Sequence, residues 1–338
     1  MRIRPATPLV LGLTGLALVL AGCAPASTAD GGDDDTIHVV ASTNVYGSIV
    51  EAIGGDRVEV TSLVDSISQD PHAYEASARD QLTISRADLI VANGGGYDSF
   101  VDALVEATGT AADVLRAVEF SHDYPDAAHA HVGDDADHGD EAADTDHDHG
   151  TGDDHDDHGH DHIEGFNEHV WYDPHTVAHL ADDIAHHLAE LDPEGASVYE
   201  ANGEAFAAGV ADLEAGLADI EAAHAGEQVF GTEPVPVYLT TAAGLVDTAP
   251  AAFTEAVEEG QDVSPATLLE ARRIIESGDV RVVIANAQTG GAETSEVIGW
   301  SEARGIPVLE FTELVPDGET YLTWMGANVE ALAGALAG

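Results

Sequence analysis

Apolar residues along this chain alternate between two patterns. Short continuous runs, Ile37–Ala41, Val58–Val64, Ala87–Ala92 and Val114–Val118, are rich in branched side chains and read as strands buried on both faces. Between them lie stretches with helical spacing. One is capped by Ser42-Thr43-Asn44 and runs through Ile53, one covers Gln81 to Arg86, and one follows Gly94-Gly95-Gly96 from Tyr97 to Ala107. The glycine triplet lacks the lysine and hydroxyl residue of a phosphate loop, so backbone freedom in a tight turn explains it better. Strand, helix, strand in succession predicts a parallel α/β layer, whose ligands sit in loops at the carboxyl ends of strands.

After an interruption at residues 121–165 the helical pattern resumes. Thr176 to Leu191 carries Val177, Leu180, Ile184 and Leu188 on one face, and its His179, His186 and His187 read as part of a solvated face. Gly195 to Ala225 predicts one long helix burying Val198, Phe206, Val210, Leu213, Leu217 and Ile220, about 45 Å of rigid connector at the usual rise. A second alternation follows. It has a strand at Gln228–Gly231, the loop Thr232-Glu233-Pro234, helices at Val237–Ala243 and Pro265–Glu276, a strand at Val280–Ala285, a helix at Glu293–Arg304, a strand at Ile306–Phe311 and a last helix at Glu319–Leu336. The expected fold is α/β with mainly parallel sheets, and the chain has room for two modest lobes or one large one about the rigid connector helix 195–225.

Charge narrows the partners. The 338 residues carry a formal net charge of −54, which repels nucleic acid and anionic membrane surfaces and attracts cations. Arg2 and Arg4, an apolar run from Leu9 to Leu20, and Leu20-Ala21-Gly22-Cys23 predict a secretory signal over 1–22. The last four residues resemble a bacterial lipobox, which implies lipid on Cys23 and a flexible tether over 23–35. Cys23 is the one cysteine, so a metal site must be built from His, Asp, Glu or amide donors.

Candidate chemistry concentrates between His122 and His162, where ten histidines and fifteen acidic residues occur with almost no large apolar side chain. His147, His149, His155, His158, His160 and His162 offer loosely spaced imidazoles for weak, exchangeable metal binding; an acidic linker with incidental histidines is the plainer account. His169 differs, because Val170-Trp171-Tyr172 beside it predict the end of a short strand, with Asp173-Pro174 opening the next helix. A histidine there is a ligand or simply a core residue, depending on its partners. His72, in the loop Asp70-Pro71-His72-Ala73-Tyr74-Glu75 after a strand, is a second candidate.

The order of these motifs resembles the zinc and manganese class of substrate-binding proteins of ABC importers. Asp70 to Glu75 resembles the family's first ligand motif, Ala87-Asp88-Leu89-Ile90-Val91-Ala92-Asn93-Gly94 its following strand and turn, and Glu168-His169-Val170-Trp171-Tyr172-Asp173-Pro174 its second ligand motif. Tyr321-Leu322 through Trp324-Met325 and Asn328 resembles its terminal helix. The resemblance implies metal ligands His72, His169 and Glu233, the last placed five residues before Tyr238. The fourth is open among Asn286, Gln288, water and a loop histidine, since no carboxylate follows the strand before Glu293. It further implies two Rossmann-like lobes with mainly parallel sheets, at 36–194 and 226–338, joined by the connector helix 195–225 with the metal site in the interlobe cleft, and capture of zinc without catalysis by a monomeric lipoprotein on the outer face of the membrane. The permease and ATPase would be separate chains. Manganese is the alternative cargo, glutamate at 233 matching that branch. Two rivals remain on the residues alone: a secreted zinc hydrolase using two histidines and a glutamate, and a surface adhesin or metal chaperone of the same fold. Against the hydrolase stand the lack of a His-Glu-x-x-His helix and the expectation that Glu168 and His169, as strand neighbours, face opposite ways.

Overall fold

The computed structural model describes residues 36–125, 163 and 165–338. The signal over 1–22, Cys23, the tether and histidines 147 to 162 lie outside the described residues. From Thr36 onward the chain forms one compact unit containing two four-stranded sheets.

The first sheet has strand order β2-β1-β3-β4, from β1 (Ile37–Thr43), β2 (Val58–Val64), β3 (Leu89–Ala92) and β4 (Asp113–Arg116). The second repeats the same winding as β6-β5-β7-β8, from β5 (Gln228–Gly231), β6 (Val246–Asp247), β7 (Val280–Asn286) and β8 (Val308–Phe311). All pairs are parallel, and the unbroken apolar runs follow from that: Leu89 to Ala92 and Val282 to Ala285 are buried throughout because helices cover both faces. In both sheets the earliest strand is internal and the winding reverses beside it, the kind of place where open α/β folds leave a crevice.

Helices α1 (Asn44–Gly54), α2 (Ala78–Ile84), α3 (Ser99–Thr108) and α4 (Pro174–Leu191) accompany the first sheet. Ser77 caps α2 in a reciprocal capping box with Asp80, and Asp173 caps α4 through the amides of His175 and Thr176, with Pro174 in the first turn. The connector α5 (Ala196–His224) packs against α1 and α4 on one side and against α6 (Val237–Ala242) and α10 (Tyr321–Leu336) on the other, so one helix is core to both lobes. At its start, Val198 is 41% exposed and Tyr199 takes the buried position, its hydroxyl donating to Asp192. Tyr199, Phe206, Val210, Leu213, Leu217 and Ile220 step by sevens, fours and threes, which keeps one stripe against both neighbours, whereas Val198 would leave it.

The second lobe adds α7 (Ala251–Glu258), α8 (Pro265–Ser277) and α9 (Ala292–Glu302). Strand β6 and helix α7 had no counterpart in the sequence pattern, because two strand residues and eight helical ones give periodicity too little length. Residues 170–172 form a single 3-10 turn rather than the end of a strand. Tertiary hydrogen bonds hold it: Tyr321 Oη donates to the Trp171 carbonyl at 2.8 Å and Tyr172 Oη to the Thr312 carbonyl at 2.7 Å.

Candidate metal centre

The loop after β2 turns back through the Asp70 carboxylate, which accepts the His72 amide at 2.9 Å. That turn directs the His72 ring edge-on against Tyr97, 4.8 Å between centroids. Gly94 and Gly95, both at positive φ, let the chain after β3 fold tightly enough that Asp98 accepts the amides of Asn93 and Gly94. Asn93 then donates to the Glu168 carbonyl at 3.0 Å, tying this turn to the segment bearing the second histidine.

His169 is fully buried. Asn167 Oδ1 lies 2.8 Å from its Nδ1 and 3.1 Å from its amide, an arrangement that assigns the ring proton to Nδ1 and turns Nε2 toward the cleft. Asn167 also bridges the lobes, since its amide donates to the Pro234 carbonyl and its carbonyl accepts from Tyr238 Oη. The imidazole is therefore aimed by groups from both lobes.

Facing these rings is Glu313, just past the end of β8 and 1% exposed. One carboxylate oxygen accepts from Tyr97 Oη at 3.0 Å and lies 3.5 Å from His72 Nε2; the other accepts from Asn286 Nδ2 at 2.7 Å. Ligand-type atoms of His72, His169 and Glu313 all lie within 4.8 Å of one another, and Glu168, His169 and Glu258 form a second such group sharing the same imidazole. Glu258, at the end of α7, brings a carboxylate oxygen to 3.7 Å from His169 Nε2.

Burial of so many carboxylates beside two imidazoles shapes their protonation. For His72, burial alone disfavours the cation, but the hydrogen bond and charge of Glu313 outweigh it and raise the imidazole to about 9. Glu313 is pushed up by burial and down more strongly by His72, to about 2. Glu258 is raised to about 8 by burial and then by the neighbouring charge of Glu168, and burial also raises Glu233. A bound cation would offset the burial that raises Glu233 and Glu258, so the site favours one.

Of the residues singled out in the sequence, the structure brings His72 and His169 together, 6.0 Å between ring centroids. Glu233 is 2% exposed beside them, its carboxylate held by Thr289 Oγ1 at 2.6 Å and by Asn286 Nδ2 at 2.8 Å. The two amide candidates for a fourth donor hold other groups in place. Asn286 clamps Glu233 and Glu313 together, and Gln288 accepts the amides of Glu313 and Leu314 while donating to the Gln69 carbonyl. Because 168–172 is not a strand, Glu168 and His169 fall in one group rather than on opposite faces, which removes that particular argument against a hydrolase. Glu313 and Glu258 were missed. Glu313 was accessible in principle, as a carboxylate directly after a parallel strand; Glu258 sits on a helix that left no readable pattern.

Two histidines from one lobe and carboxylates drawn mainly from the other define a metal-binding protein of two-lobed α/β fold. The chain matches the model of the family described as zinc-uptake complex component A, periplasmic, over residues 39–335, and belongs to that family. A manganese-binding lipoprotein, MntA, of Halalkalibacterium halodurans is 29% identical over 199 residues, 59% of this chain and 54% of that protein, so the match spans about half the relative's length. The manganese ABC transporter substrate-binding lipoprotein ScaA of Streptococcus gordonii is 23% identical over 97% of both chains, and the iron ABC transporter substrate-binding lipoprotein MtsA of Streptococcus pyogenes is 24% identical over 97% of this chain and 98% of its own. Among solved structures, a crystal structure of ZnuA superimposes with a TM-score of 0.65 at 21% identity, covering 89% of this chain and 99% of the other. FpvC of Pseudomonas aeruginosa in complex with Mn2+ gives 0.65 at 20% identity, covering 89% and 98%. These structural likenesses establish the shared two-lobed fold. Among the described residues no helix is long and apolar enough to cross a membrane.

Proposed function

We propose that this chain captures zinc outside the cytoplasm and delivers it to an ABC permease served by a separate ATPase, held at the membrane by lipid on Cys23. The observation that carries the reading is the convergence of His72 and His169 with Glu313 within 4.8 Å across the cleft. Glu313 is the fourth-position donor that the sequence left open, with Glu233 adjoining and fixed by Asn286 and Thr289. Two imidazoles and one or two carboxylates suit tetrahedral zinc, and for a given set of such donors zinc outcompetes manganese in the usual affinity order. Binding needs no chemistry beyond displacement of protons. The metal takes the place of the proton that His72 and Glu313 share, and Glu258 offers a further carboxylate as it deprotonates.

Manganese is the second reading. The oxygen donors of Glu313, Glu233, Glu258 and Glu168 outnumber the imidazoles, and oxygen-rich sites favour manganese. Metal retained after equilibration with equal zinc and manganese, measured by mass spectrometry on the chain lacking residues 132–160, separates the two. One tight zinc, lost in Glu313→Gln and His72→Ala, is the expected result. Retention of manganese transfers the assignment, and no tight metal refutes the cleft site.

A further inference from the structure

The solvent-facing side of α4 has a composition that solubility does not require. While Val177, Leu180, Ile184 and Leu188 are buried, the exposed stripe reads His175, His179, Asp182, His186, Glu190, a metal-donor type at every step of four or three residues. A solvated face could be made from any charged residues; three of these five are imidazoles. At the first step the geometry is specific. Nε2 of His175 and Nε2 of His179 lie 3.3 Å apart, with their rings edge-to-face at 4.6 Å between centroids. Two nitrogens bound to one tetrahedral zinc at bond lengths of about 2.0–2.1 Å are separated by about 3.3–3.4 Å. The pair therefore already has the bite of a chelating ligand, using the ring nitrogen remote from the backbone in both residues.

We propose that His175 and His179 form a second, solvent-exposed site for a divalent cation of the zinc class, distinct from the cleft centre. The two imidazoles supply the protein donors and water completes the shell. The site lies in the first turns of α4, where the helix dipole opposes a cation, so it holds metal more weakly than the buried centre and exchanges it readily. Its position suits transfer. Asp173, the cap of this helix, is four residues from His169 in the chain, and its carboxylate lies 4.0 Å from Nδ1 of His122, the first histidine of the acidic histidine tract. The transfer role rests on the metal-capture reading; the site itself does not.

The same 3.3 Å separation fits a hydrogen bond between two neutral imidazoles, and the experiment distinguishes the two. Diethyl pyrocarbonate, which acylates accessible neutral imidazole, is applied to the full chain at buffered free zinc, and each histidine is quantified by peptide mass spectrometry. Zinc is expected to slow modification of His175 and His179 together, at least fivefold and with one midpoint. In His175→Ala the zinc protection of His179 should vanish, while His186 remains as reactive as before. The His72→Ala chain should keep protection of the pair, so failure of the cleft centre and failure of this site read out separately. Protection of His179 that persists in His175→Ala, or modification of both residues that is indifferent to zinc, overturns the proposal. Both side chains are exposed, and unchanged circular dichroism of His175→Ala checks that the fold is retained.

Discussion

Replacing Glu313 by Gln keeps the side chain's shape and removes its charge, and the consequence for metal binding depends on pH. In the native chain His72 rises from 6.5 to about 9 and Glu313 falls from 4.5 to about 2, burial opposing the first and the second alike while their mutual attraction prevails. Both displacements describe one interaction, counted once as about 3 kcal/mol at 1.36 kcal/mol per pKa unit. His72, raised in the fold, contributes its stabilisation fully below its unfolded value near 6.5 and loses it as pH climbs through about 9; Glu313, lowered, contributes above 4.5 and loses it as pH falls through about 2. At pH 7.5 a zinc ion must therefore displace the His72 proton, a competition of about 30-fold that eases tenfold per pH unit. In Glu313→Gln the largest opposition to burial is gone and only the weaker charges of Glu258 and Glu168 still favour the His72 cation, so its titration falls well below the native value and the proton competition shrinks together with the loss of the anionic donor. Zinc affinity measured against a chelating dye from pH 6.5 to 8 should rise with a log–log slope smaller by about one in the variant than in the native chain. Absolute affinity should also be lower at pH 8, where proton competition contributes least. NMR of apo His72 should place its titration near 9 in the native chain and well below that in the variant. Equal slopes in the two proteins, or an unmoved His72 titration, would refute the pairing and with it the assignment of Glu313 to the centre.

Four further outcomes follow from the surroundings of the site, the core and the surface. Asn286→Ala removes the amide that clamps Glu233 to Glu313 and should weaken zinc binding about 10- to 100-fold by calorimetry with little loss of native secondary structure. Gly94→Ala places a Cβ 2.9 Å from Val118 Cγ2 at a φ of +80°, so urea unfolding of the apo chain should show a loss of about 1–3 kcal/mol. Leu180→Ala opens a cavity on the buried face of α4 and should cost about 2–5 kcal/mol in the same assay, while His186→Ala on the exposed face should cost under about 0.5 kcal/mol.

How far the sequence reached is visible in particular elements. Continuous apolar runs announced parallel strands, Asp173-Pro174 announced the start of α4, and a heptad-like stripe announced α5, because burial on a regular element imposes a period on the chain itself. His72 and His169 were also legible, each lying in a loop at the edge of a strand or helix that could be located. Tertiary packing decided what periodicity does not carry. It chose Tyr199 over Val198 for the buried stripe, folded 170–172 into a 3-10 turn through Tyr321 and Tyr172, and used up Asn286 and Gln288 in holding other groups. It also brought Glu313 to His72 across 241 positions of sequence. A donor's residue type is written in the chain, but its partners are set by which loops two sheets bring to one cleft, and no local pattern encodes that distance.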